Sequence, residues 1–205
     1  MYFFYTPNWI RKSTPDLIWS FFSPDKSVFL TFDDGPNEEI TPFILDKMAE
    51  LDWKATFFCV GENAQRKPHL IERIRREGHQ IGNHTFNHLN AWKNRREAYL
   101  ENVEKADEVL HSSLFRPPYG KLNWQIRKKL SAKYRIILWS FMAYDFDAEI
   151  SLERIEKEAE KYIKAGDIIV LHDNEKFIEK EKKVFEIIIR VLQKKGLKSK
   201  AIAGD

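Results

Sequence analysis

Two adjacent carboxylates, Asp33 and Asp34, follow the β-rich run Val28-Phe29-Leu30-Thr31-Phe32, and Gly35-Pro36 ends that run at once. Neighbouring strand residues point to opposite sides, so such a pair can divide two tasks, one carboxylate on a metal and one free as a base. A surface turn is the plain alternative, since Asp-Gly and Gly-Pro are common turn signals. His84 and His88 have the i, i+4 spacing that puts two imidazoles on one face of a helical turn, where they can grip one ion. With Asp34 as third ligand the set is His, His, carboxylate, which leaves a position open for water. The zinc-peptidase pattern needs Glu directly after the first His; Thr85 stands there, so that chemistry is disfavoured. His172 ends the run Ile168-Ile169-Val170-Leu171 and reads either as a satisfied core residue or as a general acid across from the metal. His69, His79 and His111 fall in or beside helical stretches and read as structural or exposed.

These residues need a frame that gathers them. Short β-rich runs alternate with helical spacing after residue 26. Strands are expected over 28–32, 55–60, 79–82, 114–116, 135–140, 167–171 and 197–202, the last as an edge strand. Helices are expected over 40–51, 63–77, 94–111, 124–131, 152–164 and 178–195. Apolar strands between helices imply a parallel sheet covered by helices. About seven units suit a closed or nearly closed barrel, with an open doubly wound sheet as the alternative. Either way, the site lies at the carboxyl ends of the strands. Asp33 and Asp34, His84 and His88, Arg116, Asp145 and Asp147, and His172 and Asp173 all take that address. Helix capping accounts for one or two of them. It does not account for a metal-type set with a spare acid and base on one rim.

Residues 1–26 lie outside the alternation and read as an extension to a domain over 27–205. Thr14, Pro15 and Asp16 resemble a cap, a proline at the first helical position and an acidic first turn. A short helix over 15–22 is therefore expected, packed on one end of the barrel.

Composition narrows the function classes. A chain of 205 residues, 43% hydrophobic, fits one globular domain. Net charge is +3, from 34 basic and 31 acidic residues, and leaves no footprint for nucleic acid. Lysines over 176–183 and 194–200 read as a solvated helix face and its exit. Cys59 is the only cysteine, which excludes an intrachain disulfide and a cysteine zinc site. Its apolar neighbours make it a buried, inert thiol. The first eight residues lack a positive stretch before their apolar patch, and Pro7 cuts that patch. No apolar run approaches the roughly 18–20 residues that span a bilayer. The expectation is a soluble cytoplasmic protein with no evident obligate protein partner, or a cell-envelope protein if a leader precedes it.

Four motifs in order, Thr31-Phe32-Asp33-Asp34-Gly35-Pro36, His84-Thr85-Phe86-Asn87-His88, Arg116-Pro117-Pro118-Tyr119-Gly120 and Leu171-His172-Asp173, resemble the polysaccharide deacetylase family. This is the NodB homology domain, or carbohydrate esterase family four, and the likeness covers roughly residues 27–202. The resemblance implies a distorted (β/α) barrel, often seven-stranded. It implies Asp34, His84 and His88 as metal ligands, usually for zinc, with cobalt or nickel as substitutes. It implies Asp33 as catalytic base, Arg116 as the group orienting it, and the Tyr119 amide as an oxyanion donor. Pro117 and Pro118 would shape the groove. His172 would be the catalytic acid, tuned by Asp145, and Leu171 a wall of the acetyl pocket. The family's fourth motif has two acids and a tryptophan; here Met142 replaces the first acid and Phe146 the tryptophan. The implied reaction removes N-acetyl groups from a peptidoglycan- or chitin-like glycan. O-acetylated xylan or cyclic amides and imides are alternatives at the same site, and a non-catalytic sugar-binding domain is a remoter one.

Overall fold

The computed structural model describes residues 3–204; Met1 and Tyr2 of the expected extension and leader reading, and Asp205 of the expected domain, lie outside the described residues. Helix α1 spans Asn8–Ser13. Strand β1 (Ser27–Asp33) leads to α2 (Ile40–Glu50), β2 (Thr56–Cys59), α3 (Gly61–Arg66) and α4 (Pro68–Arg76). Then come β3 (Gln80–Asn83), α5 (Arg96–Leu110), β4 (Leu114–Phe115), α6 (Trp124–Leu130) and β5 (Arg135–Ile136). The chain ends with β6 (Phe141–Met142), α7 (Leu152–Tyr162), β7 (Ile168–His172), α8 (Ile178–Lys194) and β8 (Lys198–Ser199).

Seven strands pair in parallel in the order β5-β4-β3-β2-β1-β7-β6, the parallel sheet that the alternation predicted, curled into the distorted barrel that the resemblance implied. Period-two alternation decides what each strand shows to each side. On β1, Val28, Leu30 and Phe32 join the large core under the helices. Phe29 packs instead in the barrel interior with Phe58, Leu114, Ile137 and Ile168. Thr31 and Asp33 follow Phe29 on that interior face, so the strand climbs from an apolar floor to a carboxylate at the rim.

Several expected elements come out differently. Residues 63–77 form two helices, because Pro68 excludes the helical region for Lys67, whose φ and ψ are −131° and 57°. Of the strand expected over 135–140, only Arg135 and Ile136 form one, β5; β6 begins just beyond it at Phe141, and the two stand at opposite ends of the sheet. β8 is not a sheet edge; it pairs with Ser27 and Val28 at the foot of β1.

Residues 15–22 form no helix. Ile18 makes a parallel bridge to Ile137, and Ser20 an antiparallel bridge to Asp167. The hydrogen bonds Ile18 N to Ile136 O (3.0 Å), Leu138 N to Ile18 O (2.7 Å) and Phe21 N to Gly166 O (2.8 Å) stitch this segment between β5 and the foot of β7. Strand pairing overrides the cap signal because open sheet edges need partners. Further up, Thr6 N to Ser140 O (2.8 Å) and Met142 N to Phe4 O (2.9 Å) pair residues 4–6 with β6. Among the described residues, no helix is long and apolar enough to cross a membrane.

Gly166 is the tightest point of this seam. Its φ is +87°, and a Cβ there would lie 2.1 Å from the Phe21 carbonyl oxygen. Gly166→Ala should therefore destabilise the protein by about 2 kcal/mol or more, from left-handed strain plus displacement of the seam. Urea unfolding measures it; an unchanged midpoint would show that the seam bears no load.

Candidate active site

The rim residues are gathered by the interior face of the barrel. Asp33 ends β1 and is the register partner of His172 at the end of β7. Both continue the inward alternation, Phe29-Thr31-Asp33 and Ile168-Val170-His172. Arg116 follows β4 and lies fully buried. Its Nη1 donates to Asp33 Oδ1 at 2.6 Å and to Thr31 Oγ1 at 2.7 Å. Nε and Nη2 donate to the Ile137 and Leu138 carbonyls at 3.2 and 3.1 Å. The guanidinium carbon sits 4.1 Å from the Phe58 ring centroid. Burial pulls the Arg116 pKa down, and the Asp33 charge pushes it back up.

Asp34 leaves the strand with φ +82°. Its turn is held from both sides: Asn63 Nδ2 donates to the Asp34 carbonyl at 2.8 Å, and Gly35 N donates to Asp173 Oδ1 at 2.9 Å. Only glycine fits at position 35, because a Cβ would lie 2.1 Å from Asp173 Oδ2. Asp34 Oδ1 then faces His84 Nε2 at 3.6 Å and His88 Nε2 at 3.2 Å.

The two histidines do not share a helical turn. They sit in an irregular loop after β3, with Thr85 and His88 at φ +65° and +55°. Side chains override the helix here: Asn102 Oδ1 of α5 accepts from Phe86 N (2.8 Å), and Asn83 Oδ1 accepts from Thr85 N (2.8 Å). The rings nevertheless converge, with centroids 5.1 Å apart.

Asp34, His84 and His88 offer one ligand atom each, all within 4.8 Å of one another. Three features fit a cation there. Asp34 Oδ1 is buried with no hydrogen-bond donor among the described residues. His84 Nδ1 donates to the Arg116 carbonyl at 2.7 Å, which leaves the Nε2 lone pair aimed at Asp34. Burial lowers the His84 pKa to about 4, so its imidazole is neutral and can ligate at ordinary pH. Burial disfavours the Asp34 carboxylate, but the close approach of His88 Nε2 and the neighbouring His172 outweigh it and hold its pKa low.

Across the rim, Asp145 is buried and spends both oxygens on His172, accepting from its main-chain N at 2.7 Å and meeting Nδ1 at 2.8 Å. Phe146 packs edge-on against the His172 ring at 4.8 Å. Burial opposes the imidazolium, but Asp145 prevails and raises the His172 pKa to about 10. A cavity of about 330 Å³ opens between these groups, bounded by Asp33, His88, Pro117, Tyr119, Phe146 and His172. Asp34 and His88 also border a polar groove of about 480 Å³ on the side of Asn63 and Asn174.

The remaining sequence candidates divide. Tyr119 has φ +61°, and no acceptor among the described residues takes its N–H. Pro117 lines the cavity, whereas Pro118 is buried and does not. Leu171 does not line it either; it packs in the core beneath the helices, while Val170 takes the cavity wall. The strand period assigns those faces, and the motif position alone misses it. Trp139 also lines the cavity and carried no sequence signal of that role, while Met142 lines it from the fourth-motif position where it replaces an acid. Asp173 was visible at its strand end, but not its task of bracing Gly35 and accepting from Thr41 Oγ1 at 2.6 Å.

A profile of the family described as polysaccharide deacetylase matches residues 23–135. A peptidoglycan-N-acetylglucosamine deacetylase of Bacillus cereus is 39% identical over 79% of this chain and 79% of its own length. A chitooligosaccharide deacetylase of Azorhizobium caulinodans is 32% identical over 72% of this chain and 73% of its own. The chain spans only 33% of the length of some longer relatives. The crystal structure of the Bc1960 peptidoglycan N-acetylglucosamine deacetylase superposes with a TM-score of 0.85 at 32% identity, covering 97% of this chain and 95% of that one.

The His172 charge yields a testable titration. Its folded pKa lies above the ordinary 6.5, so the pair with Asp145 stabilises the fold fully below about pH 6.5 and loses that contribution as pH rises through about 10. NMR titration of the metal-free protein should find the His172 midpoint above 8 on this account, and Asp145→Asn should bring it to 6.5 or below. An unmoved midpoint in the folded variant would remove Asp145 from this role. The motifs, their convergence on one rim and these likenesses agree: the chain belongs to the polysaccharide deacetylase family.

Proposed function

We propose that this protein is a metal-dependent hydrolase that removes N-acetyl groups from an N-acetylated sugar polymer or oligomer, releasing acetate. One observation carries the reading: a carboxylate outside the ligand triad, Asp33, stands in register with His172, itself paired with Asp145, and both line one cavity. A ligand cluster alone would suit a binding site. A free base and a free acid flanking it suit amide hydrolysis.

Asp34, His84 and His88 would hold the ion, and two imidazoles with one carboxylate favour zinc, with cobalt or nickel as substitutes. When bound, such an ion supplies Lewis acidity that polarises the acyl oxygen and acidifies water. Asp33 takes the proton of the attacking water. Arg116 donates to Asp33 Oδ1, which fixes the carboxylate and leaves its other oxygen for the cavity. The unpaired Tyr119 N–H donates to the oxyanion, a contact that strengthens as charge develops. His172 then protonates the nitrogen as the C–N bond breaks, because an amide ion is too basic to leave. Asp145 holds that ring charged and oriented. Pro117, Phe146 and Val170 form apolar walls of the cavity, against which the acetyl methyl would pack. This reading moves the wall role from Leu171 to Val170.

Acetate release from N-acetylglucosamine oligomers tests the reading. Activity should vanish with a chelator and return with zinc or cobalt. Asp33→Asn should lower kcat by at least ~10²-fold. Full activity in the chelated protein, or in Asp33→Asn, would contradict the assignment.

A further inference from the structure

An aromatic and cationic ledge continues the cavity outward, and the chemistry above uses none of its side chains. It begins at Tyr119, 58% exposed, whose ring stands 4.7 Å from that of His88. Lys121 follows on the same cavity wall. Its Nζ lies 5.0 Å from the ring centroid of Trp92, which is 65% exposed. Trp92 rides on a braced turn: its N donates to Asn90 Oδ1 at 2.9 Å, and neighbouring Ala91 is buried. A large indole held open to water on an ordered turn suits the flat apolar face of a sugar ring. Lys121 is the one ammonium among the cavity-lining residues, and no carboxylate pairs with it among the described residues.

We propose that Trp92 and Lys121 form a subsite for the sugar unit next to the one being deacetylated, and that it selects a unit bearing a carboxylate. The inference rests on the deacetylase reading and names the glycan class that reading leaves open. The next ring of a chain leaving the cavity past Tyr119 stacks on Trp92. A carboxylate on that ring, such as the lactyl acid of a muramic acid residue, reaches the Lys121 ammonium. A neutral chitin-type chain gains the stacking alone. Neither residue touches the reacting atoms, so both act on KM rather than kcat.

Two tetrasaccharides of equal length separate the cases, neutral chitotetraose and an alternating N-acetylglucosamine–N-acetylmuramic acid chain with free lactyl carboxylates. Acetate release gives kcat and KM; tryptophan fluorescence of the metal-free protein gives binding. The parent protein should favour the acidic chain by about fivefold in KM and in affinity, less at high salt. Lys121→Gln should bring that ratio to about one. Trp92→Ala should raise KM for both chains by about three- to tenfold and diminish the fluorescence response. Equal affinity of the parent for both chains, or a ratio unchanged in Lys121→Gln, overturns the subsite. Acetate release from both chains without preference overturns the subsite and leaves the deacetylase reading standing. Release from neither, with the acidic chain still bound preferentially through Lys121, does the reverse. Neither release nor binding overturns both.

Discussion

A guanidinium that water does not reach must be met by acceptors inside the protein, and that requirement at Arg116 organises the upper half of the barrel. Its donors tie Thr31 and Asp33 of β1 to the carbonyls of Ile137 and Leu138. Its own carbonyl takes the His84 Nδ1 proton. One residue therefore fixes the orientation of the free carboxylate with its side chain and the tautomer of a ligand with its main chain. Asp33 is thereby kept out of the Asp34–His84–His88 triad, although it is adjacent to Asp34 in the chain. The left-handed turn at Asp34, braced by Asp173 through Gly35, completes the separation.

Environment then gives the two buried histidines opposite tasks. His84 has a carbonyl at Nδ1 and is held neutral by burial, the state a ligand needs. His172 has a carboxylate at Nδ1 and is held charged, the state an acid needs. Pairs of titratable groups pushed apart in this way are how one site runs acid and base steps together. Positive φ at Asp34, Thr85, His88, Tyr119 and Tyr144 places uncommon backbone conformations around the same rim. Such conformations persist only where surrounding contacts over-determine them, as the Asn83, Asn102 and Asp173 side chains do here.

Much of this frame was legible from residue order. Strand-end placement picked out Asp33, Asp34, His84, His88, Arg116, Asp145 and His172, because inward alternation runs unbroken from the apolar floor to the rim. The parallel sheet followed from apolar strands between helices. Long-range pairing hid the rest. Thr14-Pro15-Asp16 carries a local helix signal, yet Ile18 finds the open side of β5 and the segment extends. Leu17 and Trp19 pack on one cluster and Ile18 on another, a period-two pattern too short to outweigh the cap residues. The His84–His88 spacing pointed to the right partners through the wrong local structure, since the Asn102 side chain that reshapes the loop comes from a different element. Trp139, Met142 and Val170 became cavity walls only once the sheet had curled.

The central claim is that neighbouring carboxylates divide the work, Asp34 on the ion and Asp33 off it. Metal content per chain after zinc loading and desalting, compared between Asp34→Asn and Asp33→Asn, tests it most directly. The account predicts about one zinc per chain in the parent and in Asp33→Asn, and a severe loss in Asp34→Asn. Equal loss in both variants, or retention in Asp34→Asn with loss in Asp33→Asn, would contradict it.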